Sequence, residues 1–286
     1  MVTLCHASPA ATARWSDLAN ELDCWGAEGR TATLWWRDDD AAAPCDRLDR
    51  QLAIAGQAPV ALAVVPADAQ RGLAAQFDAA GRGSREIPRV AILQHGWRHT
   101  DHGSRDGAKK SEYPAQRSVE SVAADLDTGR SRLRTLFGDR ALPVLVPPWN
   151  RFAEAFLPLL PACGISAISR ARPRDEAWPA PGVFAANVHQ DLVAWKEDRG
   201  FVGEAAALGG LVGHLRARRR GEVDRDEPTG VLTHHLVQDE ATGDFLLRLV
   251  ALTAAHRAAR WLDAREVFAP CLDAGAPAVR GTAPLA

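Results

Sequence analysis

The sequence lacks the features that mark several large classes of protein. No stretch approaches the roughly 18 apolar residues that a membrane-spanning helix needs, and the N-terminus has no charged segment followed by an apolar core. The formal net charge of −2 gives no electrostatic basis for binding nucleic acid or a membrane surface. The five cysteines are scattered and form no C-x-x-C pair, which argues against a disulfide framework and a thiolate metal site. We therefore expect a cytoplasmic protein with reduced thiols, no membrane span and no nucleic-acid partner.

The one basic run, RARRR at 216–220, ends a segment with helical spacing. Cations are favoured at the C-terminal end of a helix because of the helix dipole. We interpret this run as a solvated helix terminus rather than as a patch that binds nucleic acid.

Hydrophobic residues make up 47% of the chain and charged residues 24%, as in ordinary globular proteins with a substantial core. Apolar runs with strand character alternate with segments of helical spacing, without an internal repeat or a linker. The seven predicted strands lie at 31–36, 59–66, 89–95, 142–149, 165–170, 182–189 and 230–235. This order predicts an α/β fold with parallel strands and outer helices, either an open doubly wound sheet or a barrel.

The two ends of the chain fall outside this alternation. A predicted helix at 16–29, with Ser16 as its N-cap, places residues 1–30 in a helical lead-in. A closing helix is predicted at 244–262. The Ala/Pro/Gly-rich residues 266–286 are predicted to form a loose tail. One domain, 31–265, lies between the two ends.

Polar side chains follow the predicted strands at the same end. The first strand leads into Asp38, Asp39 and Asp40, and the third leads into His95 and His99. The carboxyl ends of parallel strands converge on one face of an α/β fold. The same face should receive the groups after the fourth, sixth and seventh strands, which are Pro148, Trp149, Arg151, His189, Asp191, His234 and His235.

Two sets of these residues are candidates for a metal site. Three adjacent aspartates repel one another unless a cation lies nearby, although any one of them could serve as a helix cap. His95 and His99 have the i, i+4 spacing that puts both imidazoles on one side of a helical turn, where both reach one ion. His189 and Asp191 with a third histidine form the alternative, the facial triad of non-haem iron oxygenases. That spacing normally belongs to an all-β fold, so the βα alternation argues against it.

With these motifs in this order, the sequence resembles the polysaccharide deacetylase superfamily, the carbohydrate esterases that include chitin and peptidoglycan deacetylases. The resemblance covers almost all of the predicted domain and implies an irregular (β/α)7 barrel, similar to a TIM barrel. It aligns RDDDA with the family's paired aspartates, which implies Asp39 as general base and Asp40 as a metal ligand. HGWRH matches the family's H-x-x-x-H motif and supplies His95 and His99 as the other ligands. VLTHH matches its last motif, with His234 as general acid.

The sequence departs from the family pattern at three places. Val146 occupies the position of an arginine in the third motif, and Arg151, further along, is the candidate substitute. Asp191 lies where the family has the acidic residue that positions the catalytic histidine, His234. Gly96 replaces a serine or threonine after the first histidine of the metal motif. These differences bear on the identity of the substrate more than on the identity of the metal.

The residues and the resemblance together predict the chemistry. One divalent ion on a carboxylate and two imidazoles fits Zn²⁺, and Co²⁺, Ni²⁺ or Fe²⁺ can occupy the same site. Pro148 has no N–H, so the amide of Trp149 is the expected oxyanion donor, and its ring suits the apolar face of a sugar. Of His234 and His235 only one can face the site if the strand continues, because neighbours in a strand point to opposite sides.

The predicted function is removal of an acetyl group from the amide of an amino sugar or a polysaccharide precursor. The expected partner is therefore an acetylated sugar or a related small amide, and the oligomeric state is left open. Two alternatives use the same barrel. One is a catalytically impaired sugar-binding protein, and the other is a metal-dependent hydrolase of a non-sugar amide.

Overall fold

The computed structural model describes residues 13–80, 90–104 and 109–273 of the chain. Within these residues the centre is one nine-stranded sheet in which every ladder is parallel. The strands are β1 (Ala32–Ala41), β2 (Val60–Val64), β3 (Val90–His95), β4 (Ala141–Val146), β5 (Ala167–Ile168), β6 (Phe184–Ala185), β7 (Gln190–Asp191), β8 (Thr229–Thr233) and β9 (Ala259–Trp261).

The strand order is β6–β5–β4–β3–β2–β1–β8–β7, with β9 paired to β1. The sheet curls into an incomplete barrel that helices surround. Within the described residues no ladder joins β6 to β7, so the barrel is open between these two strands. The order confirms the predicted α/β fold and irregular (β/α)7 barrel, and it is not that of a doubly wound sheet.

Helices connect the strands and pack around the sheet. They are α1 (Trp15–Ala27), α2 (Asp46–Ala55), α3 (Arg71–Ala80), α4 (Val119–Phe137), α5 (Glu204–Arg220), α6 (Glu240–Ala255), α7 (Ala264–Val267) and α8 (Ala269–Leu272). The connection after β4 contains short 3-10 helices at Glu154–Leu159 and Pro161–Cys163, because prolines in this segment interrupt α-helical hydrogen bonding. None of the described helices is long and apolar enough to cross a membrane.

Three apolar clusters contain strand residues, and the two largest lie on opposite sides of the sheet because neighbouring strand residues point to opposite sides. Trp36 belongs to the cluster between the sheet and the outer helices, together with Leu246 of α6. Trp35 belongs to the cluster on the other side of the sheet, together with Leu232 of β8 and Phe268. The packed sheet therefore fixes the positions of the strand ends that carry the polar residues.

The C-terminal segment is packed where the sequence predicted a loose tail. Phe268 is fully buried, and its ring centroid lies 5.8 Å from that of Trp35 and 6.5 Å from that of Phe184. The prediction for 266–286 is therefore wrong as far as Leu272, because a few apolar side chains anchor a segment whose composition resembles a tail. Residues 274–286 lie outside the described residues.

Several predicted element boundaries also need correction. β1 continues through the aspartates to Ala41 instead of stopping at residue 36. α6 ends at Ala255, and the rest of the predicted helix 244–262 contains β9. α1 starts at Trp15, so Ser16 is not its cap. The strands that the sequence missed, β7 and β9, have two and three residues and are too short to show a periodic pattern.

The basic run at the end of α5 is not a solvated terminus, contrary to the prediction. Arg218 is buried and donates hydrogen bonds to Thr33 of β1 and Thr229 of β8. Arg219 forms an ion pair with Glu21 of α1, with an Nε–Oε1 distance of 2.6 Å. These two arginines fasten α5 to the sheet and to α1.

Candidate metal centre and active site

Three side chains that the sequence selected as metal ligands meet at the carboxyl ends of β1 and β3. Nε2 of His95 lies 3.1 Å from Oδ1 of Asp40, and Nε2 of His99 lies 3.4 Å from the same oxygen. One ligand atom of each residue lies within 4.8 Å of the others. The side chain of His95 is buried, whereas those of Asp40 and His99 are 31% and 29% exposed. The cluster therefore has one protected side and one side that a substrate can approach.

The tautomer of His95 leaves its Nε2 atom available as a ligand. Nδ1 of His95 lies 3.0 Å from the carbonyl oxygen of Val146. A carbonyl oxygen only accepts hydrogen bonds, so we assign the proton of the neutral ring to Nδ1 and a lone pair to Nε2, which faces Asp40. Metal-binding histidines commonly have their tautomer fixed in this way. One carboxylate and two imidazole nitrogens suit a divalent transition metal such as Zn²⁺.

The electrostatics of the cluster favour the metal-binding forms of two of its members, Asp40 and His99. Burial raises the pKa of the Asp40 carboxyl, but the hydrogen bond and the charge of His95 more than reverse this effect, and the pKa is lowered. Burial lowers the pKa of His99, and the charge of His95 lowers it further. At neutral pH the Asp40 carboxylate is ionised and the His99 ring is neutral, as metal binding requires.

The loop that carries His99 is not the helical turn that the spacing predicted. Residues 96–99 form no helix, and Gly96 (φ +59°) and His99 (φ +56°) both have left-handed backbone conformations. These residues reverse the chain so that the ring centroids of His95 and His99 lie 5.1 Å apart. The two histidines converge through a tight loop rather than along a helix.

The end of β1, which carries Asp39 and Asp40, departs from regular strand geometry. The register of β1 against β2 shifts between Asp38 and Ala41, and Asp40 has a φ of +71°. Regular strand geometry would point Asp39 and Asp40 to opposite faces, and this irregularity brings both near the same histidine. Burial lowers the pKa of His95, but the charges of both carboxylates act on this ring and raise it overall.

Asp39 is held by an arginine that the sequence analysis missed. Both side chains are buried, and the guanidinium of Arg37 grips the carboxylate with Nε–Oδ1 and Nη2–Oδ2 distances of 2.8 and 2.9 Å. The same guanidinium donates to Oγ of Ser169 at 2.8 Å and to Oδ1 of Asn150 at 2.7 Å. Residues i and i+2 of a strand point to the same side, so the motif RDD permits this pair but does not show that both side chains are buried.

Arg151 does not replace the missing family arginine, contrary to the prediction. Its side chain is exposed, and its Nη1 atom donates to the carbonyl oxygen of Lys110 at 2.8 Å. Val146, at the family's arginine position, is buried. The guanidinium that contacts Asp39 comes from β1 itself, from Arg37.

His234 and His235 follow β8 and have different surroundings, with His235 turned toward Asp38. The charge of His234 contributes to lowering the pKa of Asp40. Nδ1 of His235 lies 2.5 Å from Oδ1 of Asp38, whose other oxygen accepts from the His235 amide at 3.0 Å and from Oγ1 of Thr233 at 2.6 Å. Asp38 and His235 therefore join the ends of β1 and β8 and have a structural role.

Asp191 contacts His234 through a residue that the sequence analysis did not select, Trp195. Oδ2 of Asp191 accepts from Nε1 of Trp195 at 2.7 Å, and Oδ1 accepts from the Val193 amide at 3.0 Å. The Trp195 ring lies edge-on to His234 with the centroids 4.7 Å apart. In the described part of the chain no hydrogen bond joins Asp191 to His234. Burial raises the pKa of Asp191, and the charge of His234 opposes the rise.

Trp149 lies beside the metal cluster, at the end of β4. Its backbone is left-handed (φ +56°), and its ring centroid lies 4.4 Å from that of His99. The amides of the next two residues, Asn150 and Arg151, donate to the carbonyl oxygens of Pro147 and Pro148 at 2.9 and 3.2 Å. This turn presents the indole at the open side of the cluster.

A second group of potential ligands, His189, His214 and Glu227, does not fit a metal ion. The rings of His189 and His214 are stacked with centroids 3.4 Å apart. Nδ1 of His189 accepts the hydrogen bond of the Gly230 amide at 2.9 Å, so the proton of the neutral ring must be on Nε2, the atom that faces Glu227 at 3.3 Å. A protonated nitrogen has no lone pair for a metal. Burial lowers the pKa of His189, and it lowers that of His214 to about 2, so both rings stay neutral.

The alternative iron site of His189 and Asp191, against which the βα alternation argued, is not formed either. His189 faces Glu227, whereas Asp191 binds the indole of Trp195. Among the described residues, the two do not belong to a common group of three metal-ligating side chains. Of the two groups found among the described residues, the cluster of Asp40, His95 and His99 is the one with the donor chemistry of a metal centre.

Comparison of the sequence finds no matching family model and no matching curated protein. Solved structures match at low identity. A proposed polysaccharide deacetylase from Mycobacterium smegmatis is 16% identical with a TM-score of 0.60, over 94% of this chain and 96% of that one. A family 4 carbohydrate esterase from Streptomyces lividans, in complex with acetate, is 11% identical with a TM-score of 0.50, over 80% and 90% of the two chains. The protein therefore has the fold of these polysaccharide deacetylases and carbohydrate esterases.

Proposed function

We propose that the protein is a metal-dependent N-deacetylase that acts on an acetylated amino sugar or a polysaccharide precursor. One observation carries the proposal: the cluster of Asp40, His95 and His99 lies beside a buried carboxylate, Asp39, that Arg37 grips with two hydrogen bonds. A metal site next to a general base is an arrangement that can hydrolyse an amide. The fold shared with a polysaccharide deacetylase and a carbohydrate esterase supports the substrate class.

The metal would be held by Asp40, His95 and His99. Zn²⁺ is the ion that we propose, and Co²⁺, Ni²⁺ and Fe²⁺ are compatible with the same donors. When bound, a divalent ion supplies Lewis acidity that activates water and polarises an amide carbonyl. The exposed fractions of Asp40 and His99 leave this side of the cluster accessible to both reactants.

Two side chains beside the cluster carry out the two proton transfers in this proposal. Asp39 takes the proton of the attacking water as general base, and its bidentate contact with Arg37 fixes the carboxylate in one orientation. His234 gives a proton to the departing amine, because an amide nitrogen is a poor leaving group without it. Asp191 and Trp195 orient the His234 ring through the contacts described above.

The turn after β4 contributes to both substrate binding and charge stabilisation in this proposal. The amides of Asn150 and Arg151 are engaged by proline carbonyls, so the Trp149 amide is the proposed donor to the developing oxyanion. The indole of Trp149, next to His99, offers an apolar face to the sugar ring.

The Arg37 contact bears on the alternative of a binding protein that has lost catalysis. That alternative rested on Val146 in place of the family arginine. Because Arg37 supplies a guanidinium to Asp39 from another position, the loss at Val146 gives no reason to expect an inactive site. Hydrolysis of a non-sugar amide would use the same residues, so only a comparison of substrates separates it from the leading proposal.

We also propose a cytoplasmic location, and hence a soluble or lipid-linked sugar precursor rather than mature cell wall as substrate. Cys45, Cys163 and Cys271 are thiols outside any disulfide. Thiols of this kind are compatible with a reducing compartment.

The test is acetate release by the Zn²⁺-loaded protein from acetylated amino-sugar monomers, their oligomers and acetylated amines without a sugar. Asp39→Asn keeps the size of the side chain and all three proposed ligands, so it should bind the metal and lose acetate release. Release from the sugars in the wild type and not in Asp39→Asn supports the proposal. Acetate release from the acetylated amines without a sugar, and not from the sugars, favours the non-sugar hydrolase. A metal-loaded wild type that releases no acetate from any substrate contradicts enzymatic function.

A further inference from the structure

Glu112 is a buried carboxylate to which the proposed chemistry gives no role. It is only 1% exposed and lies in the segment 109–114, after the loop that follows the metal ligands. Burying an ionised carboxylate is costly unless hydrogen bonds compensate for the lost water. Its contacts therefore show what the segment does.

The carboxylate of Glu112 binds the backbone of the metal loop. Oε1 accepts from the Arg98 amide at 2.7 Å and Oε2 accepts from the Trp97 amide at 3.1 Å. Burial raises the pKa of Glu112, and the Thr100 amide is among the backbone groups that oppose this rise. These amides flank His99, so one side chain holds the backbone on both sides of a proposed metal ligand.

Gly96 and Glu112 are complementary in shape. A Cβ atom built on Gly96 would lie 1.8 Å from Oε2 of Glu112 and 2.7 Å from Cδ of Pro148, and the φ of Gly96 is +59°. The carboxylate occupies the space that a side chain at residue 96 would need. A residue larger than glycine would force the carboxylate or the turn at Pro148 to move.

Glu112 lies in a segment that packs against the residues after β4. The next residue, Tyr113, is fully buried, and its ring centroid lies 5.4 Å from that of Phe152. The carbonyl oxygen of Tyr113 accepts from the Ala153 amide at 3.1 Å. The Ser111 carbonyl accepts from the His102 amide at 2.8 Å, which closes the far end of the metal loop. The segment thus links the loop after β3 to the segment after β4.

We infer that Glu112 is a positioning residue that sets the metal affinity of the site by holding residues 97–100 in the conformation that brings His99 to Asp40. This inference rests on the proposed metal site. Residues that orient ligands from behind typically change metal affinity about 10–100-fold when they are mutated. Glutamine at this position would turn an N–H₂ group toward amides that need an acceptor, so Glu112→Gln should lower affinity while preserving size.

The experiment is titration of the metal-free protein with Co²⁺, followed by the visible absorption of the bound ion. We expect Glu112→Gln to weaken Co²⁺ binding about 10–100-fold. The matched control is Glu154→Gln, since Glu154 is an exposed glutamate on a neighbouring segment that pairs with Arg170; it should bind Co²⁺ like the wild type. In hydrogen exchange of the metal-free protein, the amides of Trp97 and Arg98 should exchange faster in Glu112→Gln only.

A second variant addresses the same contact from the opposite side. Gly96→Ala keeps Glu112 but displaces its carboxylate, so it should also weaken Co²⁺ binding. If Glu112→Gln does not fold, Gly96→Ala tests the positioning role of Glu112 in its place. Folded variants of both kinds that bind Co²⁺ within about twofold of the wild type would overturn the inference while leaving the metal site intact. A wild type that binds no Co²⁺ would instead overturn the proposed function, on which the inference depends.

Discussion

Arg37 and Asp39 lie two residues apart on β1 and form a buried ion pair with two parallel hydrogen bonds, 2.8 and 2.9 Å long. The pair fixes the orientation of the Asp39 carboxylate, which we propose as general base. The remaining guanidinium hydrogen bonds go to Ser169, Arg170 and Asn150, so β1, the segment after β5 and the turn after β4 meet at this one side chain. The orientation of Asp39 is therefore a property of the assembled barrel.

Replacing Arg37 by lysine should impair catalysis without removing the metal. Lysine keeps the positive charge but not the planar fork, so the Asp39 carboxylate loses its fixed orientation. A displacement of about 1 Å in a catalytic group can cost roughly 100-fold in rate, and we expect a loss of this order in kcat/KM for Arg37→Lys. Acetate release at fixed metal loading is the measurement.

The matched control for this prediction is Arg151→Lys. The Arg151 side chain is exposed, and among the described hydrogen bonds it donates only to the carbonyl of Lys110, so the activity of Arg151→Lys should equal that of the wild type. Equal losses in the two variants, or a larger loss in Arg151→Lys, would mean that Arg151 has the role that the sequence first suggested.

His234 and His235 should respond differently to the same substitution. His234→Gln should retain the metal and stability but lose about 10²–10⁴ in kcat, because it removes the proposed general acid. His235→Gln should instead lower the free energy of unfolding by about 3 kcal/mol, because it leaves the buried Asp38 without its charged partner. Urea unfolding and acetate release, measured on both variants, separate the two roles. A normal rate in His234→Gln would reject it as the acid.

Trp195 should matter through its indole N–H as well as through its ring. Trp195→Phe keeps an aromatic ring beside His234 but removes the donor to Asp191, whose pKa is already raised by burial. We expect the pKa of Asp191 to rise further and kcat to fall about tenfold, with KM nearly unchanged. The readout is the acidic limb of the pH–kcat profile, which should move to higher pH. An unchanged limb would show that Asp191 does not act through Trp195.

The stacked pair of His189 and His214 predicts a loss of stability in acid. Burial lowers the pKa of His214 from 6.5 to about 2, so between these values the unfolded chain binds a proton that the folded protein does not. Stability should therefore fall as the pH falls below 6.5. At pH 5 the effect of one such histidine is about 2 kcal/mol.

His214→Asn tests this prediction, because asparagine can keep a hydrogen bond to Thr229 at the position of Nδ1 without titrating. Unfolding free energies at pH 8 and pH 5 should differ less in the variant than in the wild type, by about 2 kcal/mol. An equal pH dependence in both proteins would mean that His214 is protonated in the folded state.

The sequence predicted a parallel α/β fold because continuous apolar runs such as β2 alternate with amphipathic helices, a pattern set by local chemistry, and the family resemblance selected the barrel over a doubly wound sheet. Asp40, His95 and His99 could be selected for a related reason, since each follows a buried strand at the same end. Arg37 was missed because a buried arginine in an apolar strand has no local signature; its partner follows only from which face of β1 turns inward. Glu112 was missed because the contact depends on a loop with left-handed turns at Gly96 and His99, which a spacing rule does not describe.

The most direct test of the account is the metal content of the purified protein, measured by elemental mass spectrometry after incubation with Zn²⁺ and removal of the excess. The comparison includes the double variant His95→Ala/His99→Ala. Its control is His189→Ala/His214→Ala, which makes the same two substitutions in the stacked pair of histidines. We predict about one ion per chain in the wild type and in the folded control, and none in His95→Ala/His99→Ala. Retention of the ion in His95→Ala/His99→Ala, or a wild type that stays empty, would contradict the account.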